Sequence, residues 1–201
     1  MADYTTLAKA KAFFLADRDA DAADDTVITN LITQYSRAID DHCRRTFYAT
    51  TETRYYDAIG NHIRGNKLYL DKDLLSITTL TNGDGNTLTE NTDFILRPSD
   101  GPPFDYVQLL SASAAVWTYS TNWEEAISIA GDWGYSDTDS HPAPVEQALL
   151  LLVQHAYLRR ENPAGNQNMI TASGATIMST KWPADVKDLL EPYIRRRFGG
   201  S

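Results

Sequence analysis

The chain has 201 residues, 42% of them hydrophobic, and carries 27 acidic against 18 basic residues for a formal net charge of -9. It is long enough for one core, or for a helical core plus a smaller β lobe. No apolar run approaches the roughly 20 residues that cross a bilayer, and the charge argues against a protein that grips nucleic acid by its phosphates. Met1-Ala2-Asp3-Tyr4 lacks the basic and apolar parts of a secretion signal, so the chain is expected to stay in the cytoplasm of the cell that makes it.

Thr5 to Ala16 reads as a first short helix with Leu7, Ala10, Phe13 and Phe14 on one side, followed by an acidic linker from Asp17 to Asp25. A second helix is expected from about Thr26 to Arg44. Val27, Ile28, Leu31, Ile32, Tyr35, Ala38, Ile39, His42 and Cys43 recur at three- and four-residue spacing, with Asp24 and Asp25 placed to cap them. Cys43, the one cysteine, lies on that apolar face and reads as a small buried hydrophobe.

After Phe47 the pattern changes to short β-branched and aromatic runs, so a strand-rich region is expected from about Thr51 to Tyr135. Its strands are Thr53-Arg54-Tyr55-Tyr56, Lys67 to Leu70, Leu74 to Leu80, Thr87-Leu88, Phe94 to Leu96, Tyr106 to Leu110 and Ala126 to Ala130. Asn82-Gly83-Asp84-Gly85-Asn86 supplies a tight hairpin turn. Asn82, Asp84 and Asn86 alternate like the start of a calcium loop, but Thr87 stands where such a loop needs glycine and Glu90 arrives too early for the bidentate ligand. Gly131-Asp132-Trp133-Gly134-Tyr135 reads as a corner that packs the β lobe.

Pro142 and Pro144 announce a third helix that continues to about Arg160. Its run Leu149, Leu150, Leu151, Leu152 and Val153 is apolar around more than one side, which suggests burial against both its own core and a neighbouring subunit. Glu161 to Gly174 is taken as a loop or mobile arm. A short helix bearing Val186, Leu189 and Leu190, a stop or kink at Pro192, and the basic tail Arg195-Arg196-Arg197-Phe198 complete the chain.

No catalytic constellation emerges. His42, His62, His141 and His155 are scattered without metal-ligand spacing, the acidic pairs Asp71/Asp73 and Glu124/Glu125 lack environments that would divide an acid from a base, and Gly131/Gly134 fits no phosphate loop. No metal or cofactor is expected. Trp123, Trp133, Tyr135, Tyr55 and Tyr56 could form a sugar-stacking platform in an isolated β module, and packing is the simpler role.

In order along the chain, the Tyr4-Thr5-Thr6-Leu7 start, the helix closing on Cys43-Arg44-Arg45-Thr46-Phe47, the pattern Thr53-Arg54-Tyr55-Tyr56-Asp57 with Leu68 to Ile77, and Gly131-Asp132-Trp133-Gly134-Tyr135 before a Pro-rich helix start resemble the bacteriophage head-tail connector, or neck adaptor, family. The resemblance implies an α+β fold, a helical core with an inserted antiparallel β-rich lobe, divided as residues 1–50, 51–140 and 141–201. It implies a non-enzymatic virion protein, assembled in the host cytoplasm as a ring of about twelve copies under the portal. Such a ring extends the DNA channel and joins the head to a stopper or tail-completion protein, with genomic DNA passing through its lumen and no membrane partner. Acidic subunits around a lumen would repel phosphates and let DNA slide; the same acids would also simply keep a monomer soluble. Within this reading Leu149, Leu150, Leu151 and Leu152 are the expected subunit interface, and Arg195, Arg196, Arg197 and Phe198 the expected portal-docking residues. A β-type carbohydrate- or receptor-binding virion module and a small hydrolase are the rival readings.

Overall fold

Four helices and a seven-stranded antiparallel sheet divide between two units of the chain, in a computed structural model that describes residues 2–15, 22–136, 141–161, 169–170, 176–177 and 182–195. Unit 1 comprises Met1–Arg44 and His141–Arg195; the β-rich unit 2 begins at Arg45 and runs to Ser140. The class is α+β, as the sequence resemblance implies.

In unit 1, α1 (Leu7–Phe14) starts where the Thr6 hydroxyl accepts from the Lys9 amide at 3.3 Å, an N-cap that satisfies one orphan donor. Ahead of it, Tyr4 is fully buried, and its amide donates to the Ser36 hydroxyl on α2 (Ala22–Cys43) at 3.2 Å. Helix α2 begins four residues earlier than the sequence suggested. Ala22 and Ala23 are strong helix formers, so Asp24 and Asp25 fall inside the first turn, where their charge favours the positive end of the helix dipole. Asp25 also accepts from Lys11 at 2.6 Å. Ile28, Ile32, Ser36, Ile39 and Cys43 form its buried stripe. The helix stops at Arg44, whose φ of 54° is the left-handed turn that usually falls to glycine.

Helix α3 (Ala143–Glu161) packs on α1, α2 and α4 (Ala184–Leu190), and buries Val145, Ala148, Val153 and Tyr157. Pro192 lies in a 3-10 turn, Glu191–Tyr193, directly after α4. Within the stretch read as a loop or arm and just beyond it, β8 (Met169–Ile170) pairs antiparallel with β9 (Thr176–Ile177).

In unit 2 the strands β1 (Thr50–Tyr56), β7 (Ile127–Trp133), β3 (Lys67–Thr81), β6 (Phe104–Leu109) and β5 (Phe94–Arg97) follow one another across the sheet, with β2 (Ile63–Arg64) and β4 (Thr87–Leu88) added to β3. Every pairing between these strands is antiparallel. The two strands expected at 67–70 and 74–80 are one. The polar Asp71-Lys72-Asp73 that separates them in sequence is a register shift between Tyr69 and Leu74, where the strand bends without ending. That bend lets both halves of β3 contribute to one core, with Leu68, Leu70, Leu74 and Leu80 against Tyr56, Phe94, Val107, Ile129 and Trp133. Trp133 is the last residue of β7, buried in this core immediately before the bend at Gly134-Tyr135.

The hairpin turn closes between Leu80/Thr81 and Leu88/Thr87. Gly85 takes φ +85°, Asn82 donates its amide to the Asn86 carbonyl at 2.8 Å, and the Asp84 carboxylate accepts the Asn86 amide at 3.0 Å. An asparagine side chain at position 84 can accept the same amide. Asp84→Asn is therefore expected to change stability by less than about 0.5 kcal/mol, with no rise in melting temperature on adding calcium. A calcium-dependent rise in the native protein that disappears in Asp84→Asn would instead assign a metal to this turn.

Candidate functional site

The chain enters and leaves unit 2 side by side, and the Arg44-Arg45-Thr46-Phe47 segment is what fastens the two passes. Tyr135 donates its amide to the Thr46 carbonyl at 2.9 Å, and Gly134 donates to the Asp73 carbonyl at 2.9 Å. The Arg45 guanidinium lies 3.4 Å from the Asp73 carboxylate and 5.0 Å from the Tyr135 ring centroid, while Phe47 meets the same ring edge-on at 5.5 Å. Asp73 is 1% exposed. A charge that deep in apolar surroundings persists only with a partner, and Arg45 is one supplied by the sequence motif itself.

Along the sheet, Arg54 bridges Glu52 at 2.6 Å and Asp71 at 2.8 Å and stacks over Trp133, and Tyr56 donates its hydroxyl to Asp71 at 2.6 Å. Burial, then the Asp71 charge, pushes the Tyr56 pKa far up, so it stays a neutral hydrogen-bond donor at any ordinary pH. Asp132 accepts from the Thr51 and Ser76 hydroxyls, which hold its pKa below the usual carboxylate range. These contacts tie β1, β3 and β7 together.

The four histidines sit apart: His42 against Trp182, His62 against Tyr56, His141 against Tyr4, and His155 on α3. Burial lowers the pKa of both His141 and His155, the latter helped by Arg159. Among the described residues no three His, Cys, Asp or Glu side chains converge as a metal-ligand set.

The expected interface leucines are placed mostly inside the chain. Leu149, Leu150 and Leu152 are buried in the monomer, which absorbs the surplus apolarity of the run, and Leu151 is half-buried. Leu158, seven residues on and so on the same helix face as Leu151, is 45% exposed. Of the basic tail, Arg195 is buried and donates its amide to the Cys43 carbonyl at 2.8 Å, so it belongs to unit 1. Arg196, Arg197 and Phe198 lie outside the described residues.

Two surfaces of unit 2 escaped the sequence reading. One is at the loops beyond the far end of the β1–β7 pair, where the Ala58 amide donates to the Trp123 carbonyl at 2.8 Å and the Glu125 amide to the Asp57 carboxylate at 2.9 Å. These bonds gather exposed Ile59 and Trp123 beside Asp57, Glu124 and Glu125. The other is the outer face of β2, β3, β6 and β5. There Arg64, Lys67, Gln108 and Ile95 lie in one cross-strand row and Tyr69, Tyr106 and Arg97 in the next, while Leu68, Val107 and Leu109 point into the core. Arg64 stands 5.7 Å over the Tyr69 ring, Lys67 stands 4.9 Å over Tyr106, and the two rings are 5.2 Å apart.

No protein-family model matches this sequence, and no curated protein matches it. Solved structures do match. A chain in the neck of an empty GTA particle, computed with C6 symmetry, is 17% identical, with a TM-score of 0.60 over 98% of this chain and 93% of that one. A chain in the virion of a native gene transfer agent particle is 15% identical at a TM-score of 0.58, over 98% and 93%. One in the neck of a native GTA particle, computed with C12 symmetry, is 16% identical at 0.54, over 100% and 97%. Over nearly its whole length, then, the chain has the fold of proteins found in the neck and virion of gene transfer agent particles.

Proposed function

We propose that the chain is a structural, non-enzymatic virion protein of a tailed phage or phage-like particle: a neck adaptor whose copies close into a ring under the portal, extend the DNA channel and join the head to a stopper or tail-completion protein. The observation that carries this reading is the end-to-end fold match, which covers 98% of this chain and 93% of a chain in a particle neck and so includes both units. Neck structures computed with C6 and C12 symmetry support a ring, and a ring of about twelve copies fits both symmetries. The order of sequence motifs points to the same assembly.

Within this reading, Leu151 and Leu158 on α3 are the apolar residues left to contact a neighbouring subunit, and Arg196, Arg197 and Phe198 reach the portal, with arginines pairing portal carboxylates and the ring of Phe198 as an anchor. The test is pull-down with the cognate portal over a salt series. Because Arg195 is built into unit 1, the truncation starts after it. Deleting residues 196–201 is expected to weaken portal binding by about tenfold or more at low salt, with unchanged melting temperature. Undiminished portal binding by the truncated chain contradicts the docking role, and absence of any binding by the intact chain contradicts the adaptor reading.

A further inference from the structure

The cationic face of unit 2 is anomalous on a chain of net charge -9. Arg37, Arg45 and Arg54 are each paired with carboxylates of their own chain. Arg64, Lys67 and Arg97 form no ion pair among the described residues. Two of them, Arg64 and Lys67, stand over tyrosine rings that fix where the charge points. Three cations set among Tyr69, Tyr106 and Ile95 make a surface suited to carboxylates flanked by apolar side chains. The same chain presents such a surface elsewhere, in Asp57, Glu124 and Glu125 beside Ile59 and Trp123. Those three carboxylates form no ion pair among the described residues either.

We infer that these two surfaces meet between copies: the Arg64/Lys67/Arg97 face of one chain receives the Asp57/Glu124/Glu125 loops of the next. The contact joins different patches on the two copies, so it is heterologous and propagates head to tail, which is the kind that closes a ring when the rotation closes. Its two halves match in charge and both carry aromatic and aliphatic area, the composition of an interface core with a polar rim. A DNA phosphate backbone would also meet the three cations, but it would have to approach against the remaining negative charge of the chain, whereas a second copy brings its own complement. The inference rests on the ring reading and adds to it the surfaces that select the neighbour.

A charge-swap experiment on the full chain decides it. Variant one carries Arg64→Glu, Lys67→Glu and Arg97→Glu; variant two carries Glu124→Lys and Glu125→Lys. Sedimentation velocity and mass photometry, run from about 50 to about 500 mM NaCl, read self-association, and circular dichroism checks that each variant is folded. Native chain is expected to self-associate most strongly at low salt, and each variant alone to associate at least about 100-fold more weakly, since like charges then face each other. Mixed in equal amounts the variants should associate again, because every contact in an alternating assembly is once more between opposite charges. Should a reversed variant lose its fold, the neutral set Arg64→Gln, Lys67→Gln and Arg97→Gln takes its place, with weakened and salt-insensitive association as the expected result. Association of both variants at the native level, a mixture of folded variants that stays monomeric, or a native chain that stays monomeric throughout would overturn the inference. So would binding of a labelled DNA duplex of about 20 bp that Arg64, Lys67 and Arg97 control while association ignores them. A ring that forms regardless of both reversals leaves the adaptor reading standing and removes only this contact.

Discussion

Replacing Gly131 with alanine is expected to be among the most damaging single changes in the chain. A Cβ at that position would lie 2.1 Å from the Ser76 carbonyl oxygen and 3.2 Å from the Ile77 Cα, and both are backbone of β3. No rotamer change relieves such a clash, so β7 and β3 must part along the pairing that unites the sheet. The expected cost is at least about 3 kcal/mol, read as a lower melting temperature and as faster amide exchange through β1, β7 and β3. Gly65 supplies the control. It takes φ +62° but a Cβ there meets nothing within 4 Å, so Gly65→Ala should cost only the left-handed strain, about 1 to 2 kcal/mol. Equal effects at the two positions would contradict the packing assigned to Gly131.

Arg45→Ala should be comparably severe for a different reason. It withdraws a cation from a carboxylate that is 1% exposed, and breaking a buried pair from one side costs up to about 3 to 5 kcal/mol. The same substitution removes the guanidinium from the Tyr135 ring, loosening the place where the chain enters and leaves unit 2. If the damage comes from the loss of this cation beside Asp73, the double change Arg45→Met with Asp73→Leu should recover part of the lost melting temperature, since an apolar pair of similar volume has no charge to desolvate. A double variant no more stable than Arg45→Ala would show that the arginine acts through its stacking instead.

Local periodicity made the helices legible. Ile28, Ile32, Ile39 and Cys43 announce α2, and the prolines at 142 and 144 announce α3, because these signals depend only on neighbours in the chain. The α+β class followed. What misled was polarity inside β3: Asp71-Lys72-Asp73 reads as a gap between strands, whereas a bulge keeps the strand going and turns Asp73 inward to Arg45. In the leucine run, Leu149, Leu150 and Leu152 are buried within the chain itself and Leu151 is partly open, a division that the unbroken run of leucines does not reveal. Trp123 and the Glu124/Glu125 pair stand out in the sequence, but the two surfaces of unit 2 to which these and the cations belong are not legible there. Arg97 joins Arg64 and Lys67 only through the register of β5, β6, β3 and β2, and Trp123 is tied to Ala58, the neighbour of Ile59, by a backbone hydrogen bond between loops far apart in sequence.

The measurement that bears most directly on the adaptor reading is cryo-electron microscopy of the particle that carries this protein, reconstructed at the neck without imposed symmetry. The expected result is a closed ring of about twelve copies of the two-unit chain between the portal and the next tail-ward protein, with the DNA path through its centre. Density for the chain at a tail fibre, a receptor-binding tip or nowhere in the particle would contradict it.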